Sequence, residues 1–293
     1  MAKITIYGFG YVGRALWRFL KDHYEVQVYD PRCVVRALLD ACVRNPEDPE
    51  VEEAQVISEE TEIKPTKYAV VCVPTPPKKD GSCDTSAVEN IIRESSHDFY
   101  LIKSTVVPGT TKRLAEETDK KIAFSPEYLG EGKYEIPFWQ NYPHPTNMRL
   151  HTFHIFGGPA EVTKEFINLW QKVAGWHATY HQTDSTTAEL VKYMENAFLA
   201  TKKIFCDEFY DIAEKLGVDY NELVELWLLD GRIGRTHTRI FPDNRGFGGK
   251  CLPKDVKAIA KHMEKKGYEP KLLKQVLSIN KRLRKKQIQK QRS

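Results

Sequence analysis

A chain of 293 residues with 41% hydrophobic and 29% charged residues has the balance of a soluble globular protein and the length for two domains. No run approaches the roughly 20 apolar residues of a membrane span, and the start, MAKITIY, enters an expected strand with no cleavable apolar segment, so a cytoplasmic location without membrane contact is expected. The net charge of +4 is uneven: residues 281–293 carry seven Lys/Arg and no acid, which leaves 4 − 7 = −3 on the rest. That basic tail has no aromatic interleaving and belongs to no nucleic-acid module, so it reads as a solvated helix end and nucleic acid is not an expected partner.

In chain order, residues 3–7 (KITIY) read as a β-branched strand, followed by Gly8, Gly10 and Gly13 and a helix over 14–21. A second strand over 25–29 ends at Asp30. Residues 45–66, acidic and punctuated by proline, read as a surface connection. Apolar runs at 68–73, 99–103, 122–124 and 153–156 are continuous rather than alternating, as in parallel strands buried on both faces. Strand-helix alternation predicts an α/β, Rossmann-type doubly wound parallel sheet over residues 1–183.

From Asp184 to Leu216 there is no proline or glycine, and Thr186 with Glu189 has the spacing of a capping box, so a helix of about thirty residues is expected. Further helices are expected over 220–229, over 255–266 and from Pro270, with a loop over 230–254. Residues 184–293 therefore read as an all-helical domain with a long central helix, carrying a cysteine loop.

Gly8-Phe-Gly10-Tyr11-Val12-Gly13 is the pattern G-x-G-x-x-G. Its first glycine makes the tight turn, its second admits a pyrophosphate to the backbone, and its third lets helix and strand pack closely. Asp30, seventeen residues beyond Gly13 at a strand end, is placed to accept from both ribose hydroxyls, which favours NAD over NADP. The bland alternative is a purely structural glycine turn.

The six cysteines (33, 42, 72, 83, 206, 251) show no C-x-x-C pair and no zinc spacing, so free thiols and no metal site are expected. Cys251 is distinguished by its surroundings, Gly246-Phe247-Gly248-Gly249-Lys250-Cys251-Leu-Pro-Lys254-Asp255. A helix start with two lysines beside it suits an activated thiolate nucleophile. A structural turn with a buried cysteine is the alternative. Lys192 and Asn196, four apart, share a helix face. Three further segments follow strand ends, where open α/β sheets bind ligands: Val73-Pro74-Thr75, Lys103-Ser104-Thr105, and Ser125-Pro-Glu127-Tyr128-Leu129-Gly-Glu131.

These motifs occur in the order of, and the chain resembles, the UDP-glucose/GDP-mannose dehydrogenase family over residues 1 to about 280. The resemblance rests on GFGYVG at 8–13, CVPTPP at 72–77, KSTVVPGTT at 103–111, SPEYLGEG at 125–132, ELVKYMENAFLATK at 189–202, DGRIG at 230–234 and GFGGKCLPKD at 246–255. It implies NAD-dependent, four-electron oxidation of a nucleotide-sugar primary alcohol to the uronic acid, with Cys251 as nucleophile forming a thiohemiacetal and then a thioester. It further implies Lys192 and Asn196 as oxyanion stabilisers, Asp255 as holding a water or acting with Lys192 in proton transfer, and Glu127 as base for hydrolysis with Thr105 helping to place the water. The Val73–Thr75 loop, Glu131 and Lys254 would contact NAD. Arg232, Tyr128, Leu129, Phe247, Gly248 and Gly249 would hold the substrate, UDP-glucose being favoured. It implies a homodimer through the long helix, with Arg232 completing the neighbour's site. Members usually carry a third, nucleotide-binding α/β domain, and the chain is expected to lack it. Two other functions share this outline: a two-domain β-hydroxyacid-type dehydrogenase on a smaller substrate, and an NAD-binding module without catalysis.

Overall fold

The computed structural model describes residues 2–31, 53–59, 63–129 and 147–290, with side chains to residue 285. Contacts divide the chain into two units: residues 1–75 with 84–192, and residues 76–83 with 193–293.

The N-terminal unit is built on seven strands: β1 (Lys3–Tyr7), β2 (Glu25–Tyr29), β3 (Tyr68–Val71), β4 (Phe99–Ile102), β5 (Lys121–Phe124), β6 (Phe153–Gly157) and β7 (Thr179–Thr183). Their order is β2-β1-β3-β4-β5-β6-β7, so the chain reverses its direction of travel between β1 and β3. Between the strands lie α1 (Tyr11–Leu20), α2 (Ser86–Glu94), α3 (Thr110–Thr118) and α4 (Ala160–Ala174).

Alternate strand residues feed two separate cores. Ile4, Ile6, Val70 and Leu101 pack with Leu16 and Phe19 of α1 and Phe166 and Trp170 of α4. Tyr7, Val71, Ile102 and Phe124 pack on the opposite face with Val88 and Ile92 of α2 and Leu114 of α3. Burial on both faces is the reason these strands read as unbroken apolar runs.

Three features depart from the sequence reading. The sheet is not wholly parallel, since β6 meets β5 antiparallel through Phe124 and Gly157. Gly158 makes that contact possible, since a Cβ there would lie 3.1 Å from the Ile122 carbonyl oxygen; the bare Gly157 makes room for Ala188 instead, whose Cβ would lie 2.5 Å from a Cβ at 157. Strand β7 gave no apolar run because, among the described strands, it is an edge strand that pairs only with β6 and consists of polar, largely exposed residues, TYHQT. Half of the expected surface connection at 45–66 lies outside the described residues, but Ala54 within it is buried in the first core and Ile57 bridges Tyr29.

The long helix α5 spans Ser185–Leu216, 32 residues. Its cap is not the expected Thr186/Glu189 box. Asp184 accepts from the Thr187 backbone N–H at 2.9 Å and from the Thr187 hydroxyl, and Glu189 is used elsewhere. In the C-terminal unit, α6 (Tyr220–Trp227) is capped by Asp219, and α7 (Leu252–Lys265) and α8 (Lys271–Lys290) follow the loop. Two cores hold this unit. One joins Ala200 and Ile204 to Phe247, Val256 and Val276, and the other joins Cys206 and Ala213 to Tyr220, Val224 and Ile240. No described helix is long and apolar enough to cross a membrane.

Candidate active site

The glycine turn at the end of β1 is the first half of a cofactor cradle. Gly8 has φ +96°, and a Cβ there would lie 2.9 Å from the Cys72 carbonyl oxygen. A Cβ on Gly13 would collide with the Gly8 carbonyl oxygen at 1.9 Å, so α1 is seated directly on the turn. Beside Gly10, by contrast, a Cβ would meet nothing within 4 Å. That open space lies at the N-terminus of α1, where Gly10 caps the helix without a side chain and the first-turn N–H groups point outward. The arrangement suits a pyrophosphate. Asp30, buried at the end of β2, accepts from the Phe9 N–H at 2.9 Å, which fixes its carboxylate beside the turn. Tyr11 is exposed on the first helical residue, with Val12 partly buried behind it. The residues fit a dinucleotide.

The loops after β3 and β4 are stitched together. Ser104 donates to the Val73 carbonyl at 2.6 Å and Thr75 to the Thr105 carbonyl at 2.7 Å. The loop then enters α3 through Gly109, at φ +95°. Here Glu189 of α5 does what no local residue does. It accepts from the N–H of Gly109 at 2.5 Å, the N–H of Thr111 at 2.9 Å and the Thr111 hydroxyl at 2.6 Å, capping α3 from a distant helix. Burial pushes its carboxyl up to about 7 despite those three donors. Glu189 thereby ties the first turns of α5, which carry Lys192, to the segment that carries Thr105.

Just beyond β5, Glu127 is buried, and its two oxygens have different surroundings. Its Oε1 accepts from the backbone N–H of Tyr128 at 2.7 Å and of Leu129 at 2.9 Å. Its Oε2 lies 3.2 Å from the Lys103 ammonium, itself almost fully buried. Burial works to raise the Glu127 carboxyl, but Lys103, His151 and the two N–H groups together hold it below the ordinary carboxylate range. Lys192 lies over the Tyr128 ring, 5.3 Å from its centroid, so Lys192 and the Glu127 segment are brought together. Leu129 packs against the first core. Glu131 lies outside the described residues.

In the C-terminal unit the cysteine loop is held by side chains. Gly246, at φ +74°, donates to Asp207 at 2.9 Å. Phe247 is bracketed by Asn280, whose Oδ1 accepts from the Phe247 N–H at 2.8 Å while its amide donates to the Phe247 carbonyl at 3.0 Å. Gly248 is bare where a Cβ would press on the Arg284 guanidinium at 3.3 Å, and Gly249 adopts φ +76°. Asp207 also pairs with Arg245 at 2.5 Å and Lys203 at 3.3 Å.

The loop delivers Cys251, exposed, to the N-cap of α7. The helix starts at Leu252 rather than near Asp255, because Pro253 sits in the first turn, where no donor is needed. Asp255 is therefore inside the helix and buried. Its Oδ2 accepts from the Asn196 amide at 2.5 Å and its Oδ1 lies 2.6 Å from Lys254 Nζ. Cys251, Lys254, Asp255 and Asn196 form one cluster in this unit. Arg232 is exposed and makes a bidentate pair with Asp230. The sequence reading gave no role to Lys103, Asp207 or Asn280, and gave Glu189 only a local one in capping its own helix. Buried charge is visible only in the fold, although Lys103 and Glu189 stood inside recognised motifs.

Comparison with known proteins agrees with this geometry. Residues 48–140 match the UDP-glucose/GDP-mannose dehydrogenase family, NAD binding domain, and residues 186–282 match the central domain of the same family. The UDP-glucose 6-dehydrogenase of Haloferax volcanii is 30% identical over 95% of this chain and 69% of its own length. The chain belongs to the UDP-glucose/GDP-mannose dehydrogenase family. The UDP-glucose 6-dehydrogenase of Rickettsia prowazekii is 32% identical over 72% of this chain, and the match spans only 48% of that relative. A UDP-glucose dehydrogenase structure from Pyrobaculum islandicum superposes with a TM-score of 0.76 at 29% identity, covering 96% of this chain and 68% of that one. The relatives are dehydrogenases and the matched N-terminal domain binds NAD, so an NAD-dependent dehydrogenase with NAD as cofactor is what these relationships support. Among the described residues no group of three His, Cys, Asp or Glu side chains is disposed to hold a metal.

Proposed function

We propose that the protein oxidises the primary alcohol of a nucleotide sugar, UDP-glucose before others, to the carboxylate through a thioester on Cys251. The observation that carries this reading is the cysteine at the mouth of α7, exposed beside a buried Asn196–Asp255–Lys254 cluster. The Gly8–Gly13 turn, Asp30 and the Val73–Thr75 loop would hold NAD, which when bound would supply the hydride acceptor for two successive oxidations. The chain's own residues do the rest. The Cys251 thiolate adds to the aldehyde carbon left by the first oxidation, so the aldehyde stays on the protein as a thiohemiacetal. The thiohemiacetal carbon then gives up a second hydride to the cofactor, and its hydroxyl proton passes by way of Lys192 and Asp255 to water, which leaves the thioester. Water then attacks the carbonyl, Glu127 takes its proton, the C–S bond breaks, and the electron pair returns to sulfur.

Lys192 and Asn196 stabilise the oxygen anion at each tetrahedral stage. The Asn196 amide is oriented for this by its bond to Asp255. Thr105 places the water, and its loop is fixed by Thr75. Tyr128, Leu129, Phe247, Gly248 and Gly249 line the sugar, and Arg232 meets the nucleotide. Lys254, paired with Asp255, acts on the cofactor side only if that pair opens. Mixing the protein with UDP-glucose and NAD tests the reading. Two NADH per sugar are expected, with activity lost in Cys251→Ala; turnover that survives in Cys251→Ala favours a dehydrogenase acting on a smaller hydroxy acid.

A second copy of the chain is proposed as partner along α5. Leu190, Met194, Phe198, Phe205, Phe209, Ile212 and Leu216 recur at helical spacing and are all exposed. Such a long apolar stripe on one helix has the form of a helix-helix interface. Sedimentation of Phe198→Glu should show monomer where the unaltered chain shows dimer.

A further inference from the structure

We propose that Lys103 is a positioning residue for thioester hydrolysis, its ammonium fixing the Glu127 carboxylate at the end of β5 as the anion that takes the proton of the attacking water. The inference rests on the reading of Glu127 as the hydrolytic base.

Lys103 leaves the carboxyl end of β4 and is 3% exposed in its side chain. All three of its partners lie on the neighbouring segment after β5: Ser125 Oγ at 3.2 Å, the Pro126 carbonyl at 3.3 Å and Glu127 Oε2 at 3.2 Å. A buried ammonium is costly to keep unless its donors are answered, and here they are answered by three consecutive residues. The effect is a clamp on the segment at the point where it turns toward Tyr128 and Lys192.

The geometry assigns separate work to the two carboxylate oxygens. Oε1 is held by the N–H groups of Tyr128 and Leu129, which orients the plane of the carboxylate. Oε2 faces Lys103 and keeps a lone pair for a proton. A buried carboxyl without a cation beside it would favour the neutral acid, which cannot take a proton. Other titratable groups around this carboxylate do not replace Lys103. His151 contributes in the same direction, after Lys103. His154, stacked on Tyr180, is held neutral by burial, at about 3. Burial pushes the Cys72 thiol up, so it stays protonated. Lys192 lies over the Tyr128 ring. Lys103 is the strongest positive influence on Glu127.

In the step concerned, the water oxygen bonds to the thioester carbon and its proton passes to Glu127. The C–S bond then breaks with its electron pair returning to Cys251 sulfur, leaving a carboxylic acid. No oxidant or reductant is involved. Lys103 touches neither water nor thioester and acts only through Glu127.

The test compares the unaltered protein with Lys103→Met, Lys103→Gln, Lys103→Arg and Glu127→Gln, each confirmed folded by circular dichroism. kcat for UDP-glucose oxidation is followed from pH 5 to 9, and the quenched protein is weighed by mass spectrometry for acyl-Cys251. Loss of the cation leaves a buried carboxyl that ionises at higher pH. The acid limb of kcat therefore moves up by one pH unit or more in Lys103→Met and Lys103→Gln. The plateau falls about tenfold, acyl-enzyme accumulates, and KM for both substrates changes less than threefold. Lys103→Arg keeps the limb within half a unit of the original. The inference is overturned if either neutral variant keeps the original limb and shows no acyl-enzyme while Glu127→Gln accumulates it. Free turnover by Glu127→Gln overturns the assignment of the base, and the inference with it.

Discussion

In the N-terminal unit the surface offered to a ligand is largely backbone, while in the C-terminal unit the reactive loop is held by buried charge. The cofactor turn works because side chains are missing: Gly8 and Gly13 let three backbone segments touch, and Gly10 leaves a helix N-terminus open. The cysteine loop has its own glycines, but it is pinned at Arg245, Gly246 and Phe247 by Asp207 and Asn280 from elsewhere in the unit. A loop set by side chains can be re-aimed by a few substitutions, so substrate choice is expected to reside there rather than in the sheet.

The largest expected effect separates the units functionally. Cys251→Ala should lower sugar oxidation by roughly 10⁴-fold or more, the scale seen when a covalent nucleophile is removed, while calorimetry finds NAD binding to the N-terminal unit unchanged. A large loss of NAD affinity would break the division. Next comes Asp207→Ala, which leaves Arg245 and Lys203 without their shared carboxylate. Removing one member of a buried ionic network costs about 3–5 kcal/mol, and denaturant melting should show it. A change under 1 kcal/mol would mean the loop is held by its glycines after all.

A third effect belongs to the N-terminal unit and to pH. Glu189 has its carboxyl raised to about 7 by burial, against 4.5 ordinarily. A raised acid stabilises the fold fully below its unfolded value, and this is lost as pH rises through its folded value. The interval corresponds to about 3 kcal/mol at most. Stability should therefore fall between pH 5 and pH 8, and Glu189→Gln should flatten that slope; an unchanged slope would assign the dependence to another group. The smallest effect expected is that of Arg232→Ala. This exposed arginine, paired with Asp230, should change KM for the nucleotide sugar about tenfold with kcat nearly unchanged.

What the sequence revealed follows the same contrast. Strands β3 to β5 were legible because burial on both faces writes itself as unbroken apolar runs, and the cofactor turn because glycine spacing is a backbone requirement. Strand β7 was not, since an exposed edge strand has no apolar signature. The antiparallel entry of β6 was hidden too, because strand direction leaves no mark on composition. At the candidate site, Cys251, Asn196 and Asp255 lay in recognisable motifs, and the fold brings them into one cluster. The clamp of Lys103 on Glu127, the remote cap from Glu189 and the Asp207 network join residues far apart in sequence or across strands. Their partners cannot be read from local spacing. Glu189 in particular had a plausible local role as a capping residue, and a tertiary one displaced it.

The central claim is a covalent bond between substrate carbon and Cys251, and mass spectrometry of the acid-quenched protein during turnover of UDP-glucose with NAD tests it most directly. The account predicts a mass increase of one nucleotide-uronyl group, mapped to the peptide containing Cys251 and absent when NAD is withheld. NADH formation at full rate with no adduct on Cys251, in a protein whose Cys251→Ala variant is equally active, would contradict it.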